Sequence, residues 1–186
     1  MNDEAIQYIS PLISELLASE ILNPPKKWWH LRKKLLKRIE LVFMPVYYFE
    51  LVTESTKSGM QQVSVIVDGI SGVFSLYDRI VLTNESPLNI PAFQFDINPQ
   101  QAQQICLNEY RRVLLNYNMR KHAFIELKEI LIQNKLFFPF WIGYFQVGKK
   151  YDFEAIDAVN GKSPGVKMRS AFLSAFTQWK TQENVK

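Results

Sequence analysis

Hydrophobic residues near the N-terminus recur at three- and four-residue steps, which is the spacing of one face of an α-helix. Residues 11–22 have this pattern, and Ser10 with Pro11 supplies a cap and a first helical residue. Asn23, Pro24 and Pro25 end the helix, because proline lacks a backbone donor and clashes with the preceding turn. The pattern predicts an N-terminal helix.

A second helical pattern runs from Lys26 or Lys27 to about Val42, and Pro45 marks its end. Residues 46–51 then have the β-branched and aromatic content of a strand. A polar loop over residues 55–59 joins this strand to another apolar, β-branched run over residues 63–67. These segments predict a helix followed by a β-hairpin.

The second half of the chain repeats this order. Residues 138–142 resemble residues 43–48 when Pro139 is placed on Pro45. Residues 156–161 match residues 67–72 position by position, with Asp157 placed on Asp68. A helix over about residues 125–136 is expected to correspond to the one that ends near Val42. We expect one small folding unit that is present twice.

The remaining segments complete the expected architecture. Asn98 and Pro99 have the residue types of a cap and first residue of a long helix, and Ser163 with Pro164 opens a last helix. We expect an α+β fold of two related helix-hairpin units, with small antiparallel sheets covered by helices. The expected divisions are an N-terminal helix (1–25), a first unit (26–82), a linker loop (83–98) and a second unit with the C-terminal helix (99–186).

A family resemblance rests on this order of elements. A helix, a strand entered through proline and aromatic residues, and a second strand that ends in apolar-Asp-small-x-Asn-Gly resemble the PepSY-type repeat, an αββ module. Residues 99–162 resemble it best, through residues 151–162, and residues 26–73 resemble it less well. The resemblance implies binding of other proteins, not catalysis.

Composition limits the class of protein. The chain has 186 residues, 47% hydrophobic and 22% charged, which is globular composition. Its one cysteine, Cys106, cannot form an internal disulfide. The acidic segment 1–4 is unlike the start of a signal peptide, so we expect a cytoplasmic protein. The most apolar stretches are short and interrupted by proline, so no transmembrane segment is expected.

No catalytic or metal-binding constellation can be read from the residues. Asp68 and Asp157 recur at equivalent places, but aspartate side chains accept backbone hydrogen bonds in turns, so we expect a turn-forming role for both. Cys106, His30 and His122 are too few and too scattered for a metal site. We expect a non-enzymatic protein without a cofactor.

Positive charge is concentrated in one segment. Residues 26–38 contain seven basic and no acidic residues, which is more than the whole net charge of +4. Three interpretations compete for the expected helix: a solvated surface, a nucleic-acid site, and reversible attachment to an anionic membrane surface. The candidate binding residues are Lys26, Lys27, Trp28, Trp29, Arg32, Lys33, Lys34, Lys37 and Arg38.

Aromatic residues cluster around the two proline motifs. Because strand residues alternate between the faces of a sheet, either helices cover both faces or one face meets a partner. Tyr48, Trp141 and Tyr144 are therefore candidate contacts with a protein partner or with a second copy in a homodimer. The expected function is a protein-binding or adaptor module, and the alternative is nucleic-acid or anionic membrane-surface binding through residues 26–38.

Overall fold

The computed structural model describes residues 7–23, 34–77, 82–83, 93–122 and 124–183. Within these residues seven strands form one mixed sheet, and three helices accompany it. The strands are β1 (Gln7–Ile9), β2 (Lys34–Ser55), β3 (Gly59–Asp68), β4 (Phe74–Tyr77), β5 (Leu82–Thr83), β6 (Ile125–Val147) and β7 (Lys150–Asp157). The helices are α1 (Glu15–Leu22), α2 (Pro99–Lys121) and α3 (Gly165–Glu183).

Two long antiparallel strands form the centre of the sheet. β2 and β6 are 22 and 23 residues long and pair from Lys34 opposite Val147 to Ser55 opposite Ile125. The strand order is β4-β3-β2-β6-β1-β5, and β7 also pairs with β6. β1 is parallel to β6, whereas β3 and β7 form antiparallel hairpins with β2 and β6.

Helices cover both faces of this sheet. Buried side chains recur every four residues along α2, from Ala102 to Leu114, and pack against one face of β2 and β3. α1 packs on the same face over β6 and β7, where it contacts Trp141. α3 covers the opposite face with the fully buried ring of Phe172. The aromatic content of the sequence was compatible with helices over both faces of the sheet or with one face against a partner. In the described residues, helices lie over both faces.

The prediction of two small antiparallel sheets is wrong. β2 and β6, the first strands of the two hairpins, pair with each other, so both hairpins belong to a single large sheet. The two hairpins are confirmed, as are the helix that begins at Pro99 and the last helix, which begins at Gly165. The N-terminal helix begins later than predicted, at Glu15, because Ser14 and not Ser10 caps it.

The helices predicted over residues 26–42 and 125–136 are wrong wherever the structure describes them, because these parts lie in β2 and β6. A β-bulge explains the error. The register shifts between Leu36 and Arg38, which adds one residue to β2. Leu36 and Ile39 then both pack on the α1 side at a three-residue spacing that imitates a helix. β6 has two further register shifts, which likewise add residues to the strand and give its side chains a helix-like spacing.

The two hairpins are related by an approximate two-fold axis. Pro45 of β2 pairs with Phe137 of β6, and Phe43 of β2 pairs with Pro139 of β6. When each proline is superposed on the other, the first of these pairs falls on the second and the second on the first. A rotation of 180° therefore superposes the β2–β6 ladder on itself. The repeat noticed in the sequence is therefore also present in the backbone.

Both hairpins end in the same aspartate turn. Oδ1 of Asp68 accepts hydrogen bonds from the backbone N–H groups of Ile70 and Ser71, at 3.2 and 2.6 Å. Oδ1 of Asp157 accepts the corresponding two bonds, at 2.7 and 3.1 Å. In each turn a glycine with positive φ, four residues after the aspartate, donates its N–H to the aspartate carbonyl. The predicted turn-forming role of both aspartates is confirmed.

Helix docking follows the same symmetry. Ser14 caps α1 and Asn98 caps α2. In both cases the two residues before the cap donate their backbone N–H groups to the carbonyl of the residue that follows a turn aspartate. The indole N–H of Trp141 donates to the carbonyl of Ile13 at 2.8 Å. At the corresponding place, the Tyr47 hydroxyl donates to the carbonyl before the α2 cap at 2.6 Å. α1 therefore lies on the β6–β7 hairpin as α2 lies on the β2–β3 hairpin.

Candidate functional site

The outer edge of β3 is covered by the chain itself. β4 follows the first aspartate turn and pairs antiparallel with β3, with Ser75 opposite Ile66 and Tyr77 opposite Ser64. This pairing uses the backbone groups of β3 that point away from β2. The edge of the first hairpin is therefore closed over residues 64–67.

The corresponding edge of β7 has no neighbouring strand among the described residues. After the second aspartate turn, the chain passes through Pro164 and begins α3 at Gly165. Proline has no N–H to contribute to a ladder and is common near the start of a helix. The symmetry of the two hairpins is broken here, because β3 has an outer neighbour and β7 does not.

Backbone groups of β7 point out of the sheet at this edge. The N–H of Phe153 donates to Oδ1 of Asp152 at 2.9 Å, and its carbonyl accepts a bond from Arg169 of α3. These partners show that the backbone of Phe153 faces away from β6. Because residues two apart in a strand share this direction, the N–H and C=O of Ala155 also point outward. Ile66 of β3 uses the equivalent groups to pair with β4.

A groove lies along the open edge. It has a volume of about 360 Å³ and is lined by residues 153–156 of β7. Ile21 of α1 contributes to one side of the groove, and Val166 and Arg169 of α3 contribute to the other. Since α1 and α3 cover opposite faces of the sheet, the groove runs between them where an additional strand would lie.

The outer surface of α1 is apolar, whereas that of α2 is polar. Exposed side chains on and just before α1 include Leu12, Leu16 and Leu17. When the helices are aligned on their caps, the corresponding residues of α2 are Asp96, Gln100 and Gln101. Exposed leucines therefore lie on the helix of the half with the open edge, and polar residues lie on the helix of the half with the closed edge. Clustered exposed apolar side chains are typical of interaction surfaces.

Positive charge lies at both ends of β7. Lys150 begins the strand, and Lys162 and Lys167 follow it; all three are exposed. Within the part of the chain that the structure describes, none of the three forms an ion pair. Asp152 and Glu154 of β7 are each paired with a cation, so they do not offset these lysines.

Most of the predicted basic site lies outside the described residues: Lys26, Lys27, Trp28, Trp29, Arg32 and Lys33. The other three, Lys34, Lys37 and Arg38, lie in β2, so the predicted basic helix is wrong for them. Arg38 pairs with Glu40 at 3.1 Å, and Lys34 pairs with Glu154 of β7. Nucleic-acid or anionic membrane-surface binding through residues 26–38 stays a prediction.

The three predicted aromatic contacts are buried or half-buried. Trp141 is only 8% exposed because α1 covers it, so its interpretation as an outward contact is wrong. Tyr48 is half-buried, and its hydroxyl lies 3.2 Å from the hydroxyl of Ser64. Burial, together with the nearby Glu40 carboxylate, raises the pKa of Tyr144 to about 12. These residues stabilise the sheet and do not form an exposed aromatic face.

A second cavity, of about 250 Å³, lies between the two aspartate turns. Asp68 and Asp157 both line it and are 2% and 3% exposed. Oδ2 of Asp157 accepts hydrogen bonds from the Tyr77 hydroxyl and the Asn160 amide, whereas Oδ2 of Asp68 has no hydrogen-bond partner among the described residues. Burial raises the pKa of Asp68 and of Tyr77, and the negative charge of Asp157 raises the pKa of Tyr77 further. The described residues contain no cluster of three or more metal-ligating side chains.

The open edge was missed from the sequence, although a signal for it was present. Extending the alignment of the two aspartate turns places Pro164 on Ser75, which is a residue of β4. Ser75 pairs with Ile66, and a proline at that position has no N–H to donate to the neighbouring strand. The second copy therefore lacks the returning strand of the first.

Comparison with known proteins adds no relative. No protein-family model, no curated protein and no solved structure matches the chain. The resemblance to PepSY-type repeats stays a prediction. Among the described helices, none has both the length and the hydropathy that crossing a bilayer requires.

Proposed function

We propose that the protein is a non-enzymatic binding module that captures an extended segment of a partner protein along the open edge of β7. The observation that carries this proposal is the difference between two equivalent strands. β3 is paired with β4 on its outer side, whereas within the described residues β7 has a groove of about 360 Å³ there and no paired strand. The missing neighbour is a strand, so the expected occupant is an extended polypeptide.

β4 indicates how the partner segment is expected to lie. It runs antiparallel to β3, with Phe74 packed on the α2 side and Tyr77 packed on the opposite side. A segment on β7 is therefore expected to run antiparallel and to place one apolar side chain toward Ile21 of α1. The exposed leucines of α1 extend this apolar surface.

The charges around the groove favour a partner segment with acidic flanks. Lys150, Lys162 and Lys167 lie on both sides of the edge residues 153–156 and have no anionic partner among the described residues. Carboxylates beside the captured strand would meet these cations. Such exposed pairs contribute about 0–1 kcal/mol each, so they set orientation more than affinity.

Strand addition explains how a small groove can bind a partner. Main-chain hydrogen bonds supply affinity, and the side chains that alternate along the added strand supply selectivity. The outward N–H and C=O of Ala155 can join this ladder, and Ala155 lines the groove. A net gain of about 0.5–1.5 kcal/mol is typical for each hydrogen bond.

The test is a titration of isotopically labelled protein with a peptide that copies Phe74–Tyr77, the β4 strand, with glutamates added at both ends. We expect the amide NMR signals of Phe153 and Ala155 to shift, and those of Val65 and Ile66 to stay unchanged. Signals that move only on other surfaces would contradict the proposal.

Two substitutions of exposed apolar residues provide a matched pair. Val166 is 83% exposed beside the groove, and Met119 is 68% exposed at the end of α2. Val166→Glu should weaken peptide binding by about tenfold or more, which corresponds to about 1.4 kcal/mol, because it adds negative charge beside an acidic peptide. Met119→Glu should leave the affinity unchanged. Equal affinities of the two variants would count against the groove.

A proline tests the main-chain contact itself. The N–H of Ala155 points away from β6, so Ala155→Pro removes a donor needed by the partner and none needed by the β6–β7 ladder. Binding should be lost while the circular dichroism spectrum is retained. If sedimentation velocity instead detects a dimer that Ala155→Pro abolishes, the occupant is a second copy and the proposed partner is wrong.

A further inference from the structure

The cavity between the two aspartate turns contains an unequal pair of carboxylates. Oδ2 of Asp157 accepts from Tyr77 and from Asn160. Oδ1 of Asp68 accepts three hydrogen bonds, all from Ile70 and Ser71, whereas its buried Oδ2 atom has no hydrogen-bond partner in the part of the chain that the structure describes. Leaving a buried carboxylate oxygen unsatisfied costs free energy, so Oδ2 of Asp68 is an unused acceptor.

The unused acceptor has the same origin as the open edge of β7. Tyr77 is a β4 residue of the first hairpin that reaches across to Asp157 of the second. When the two aspartate turns are aligned, the residue corresponding to Tyr77 is Val166, which lies in α3 and has no hydroxyl. The second half therefore has no counterpart of Tyr77 to complete Asp68.

The cavity has room for a group that completes this arrangement. Its volume of about 250 Å³ is far larger than the roughly 10–15 Å³ that one water molecule requires. Apolar residues, among them Phe138, Phe140 and Met168, line it together with polar residues that include Ser75, Lys162 and Ser163. The lining suits an amphipathic molecule with one polar end.

We propose that this cavity binds a small amphipathic ligand whose hydroxyl or amine head group donates a hydrogen bond to Oδ2 of Asp68. The head group takes the part that the Tyr77 hydroxyl has at Asp157, and the apolar body contacts Phe138 and Met168. The proposal is independent of strand capture at β7, since Asp68 does not line that groove.

The test uses phenol and n-butylamine as separate probes, titrated into the folded protein while the amide NMR signals of Ile70 and Ser71 are followed. We expect saturable shifts at these two residues. Tighter binding of phenol identifies a hydroxyl head group, and tighter binding of n-butylamine identifies an amine. If neither probe shifts these signals at millimolar concentration, the proposal is wrong.

Two aspartate substitutions distinguish loss of the acceptor in the cavity from a general effect of removing one negative charge. Asp68→Asn replaces the unused acceptor with an amide and should weaken the better probe by about tenfold or more, a typical consequence of losing a charged acceptor. Asp152→Asn removes the same charge outside the cavity and should leave binding unchanged. Equal affinities of the two variants would overturn the proposal.

A third variant keeps the test decisive if Asp68→Asn does not fold. Val73 is half-buried and lines the cavity, so Val73→Phe fills the cavity while leaving Asp68 in place. Loss of probe binding is expected in this variant. Retained binding would mean that the probe lies elsewhere and that the cavity is not the site.

Discussion

The outer edges of β3 and β7 start from the same aspartate turn and end differently. After Asp68 the chain returns as β4 and closes its own edge, whereas after Asp157 it passes through Pro164 into α3. The helix contacts of the two halves have not diverged in this way, since Tyr47 and Trp141 make corresponding bonds to the segments before α2 and α1. A repeated unit can therefore keep its core contacts and lose an edge strand.

The outer surfaces of α1 and α2 also differ between the two halves, although their buried positions are similar. Ala18 of α1 and Ala102 of α2 occupy corresponding positions, and both are fully buried. The outer positions are leucines on α1 and polar residues on α2. The similar interiors and different surfaces of the two halves support our proposal that the half with the open edge binds a partner.

The largest expected effect tests the similarity of the two interiors. Trp141→Ala and Tyr47→Ala each remove a buried aromatic ring that ties a helix start to the sheet. Each should lower the free energy of unfolding by about 3–5 kcal/mol, the usual cost of such a cavity. Chemical denaturation measures both. A loss below about 1 kcal/mol in one variant alone would break the equivalence of the two docking sites.

A smaller effect should separate the two aspartate turns. Asp157→Ala removes the turn bonds and the acceptor of Tyr77, whereas Asp68→Ala removes turn bonds only. Asp157→Ala should therefore be the more destabilising by about 1.5–3 kcal/mol, the value of one hydrogen bond to a charged group.

Tyr77→Phe provides the control for this difference, measured by chemical denaturation. In the Tyr77→Phe background the gap between Asp157→Ala and Asp68→Ala should shrink, because the tyrosine bond is already absent. An unchanged gap would mean that Tyr77 is not its cause.

The smallest effect concerns the β7 edge. Arg169→Ala removes the bond to the Phe153 carbonyl and the ion pair with Asp152, both half-exposed, and should cost about 0.5–1 kcal/mol. The Arg169 guanidinium lowers the pKa of Asp152 below its usual range. The ion pair therefore contributes above the ordinary aspartate pKa of about 3.9 and is lost as the pH falls below that value.

Denaturation of the wild type and of Arg169→Ala between about pH 6 and pH 2 checks the sign, because the two should converge as Asp152 is protonated. Arg112→Ala, which removes an exposed pair on α2, should change stability by less than about 0.5 kcal/mol. A difference between wild type and Arg169→Ala that grows on acidification would contradict the assignment.

Local signals allowed part of this fold to be predicted. The aspartate turns, both hairpins and the start of α2 at Pro99 depend on residues close together in the chain, such as Asn98, whose side chain accepts from the N–H of Gln101. The pairing of β2 with β6 joins residues about a hundred positions apart, so no local pattern announces it. The bulge near Lys37 then gave strand residues a helical spacing.

The candidate site was less predictable than the fold. Trp141 has the composition of an interface residue, and only the docking of α1 shows that it is buried. The open edge depends on what is missing after Asp157, and Pro164 is the one local sign of it. The unused oxygen of Asp68 depends on Tyr77 reaching the other hairpin, which is a contact between distant parts of the chain.

Residue-resolved hydrogen exchange at Ile66 and Ala155 tests the central claim most directly. These residues occupy equivalent outward positions on β3 and β7, and of the two only Ile66 is paired with a further strand in the described ranges of the chain. The account predicts that the Ile66 amide exchanges at least about a hundredfold more slowly than that of Ala155, while Val65 and Glu154, which bond inward, are both protected. Equal protection of Ile66 and Ala155 would mean that the β7 edge is already covered, and would contradict the account.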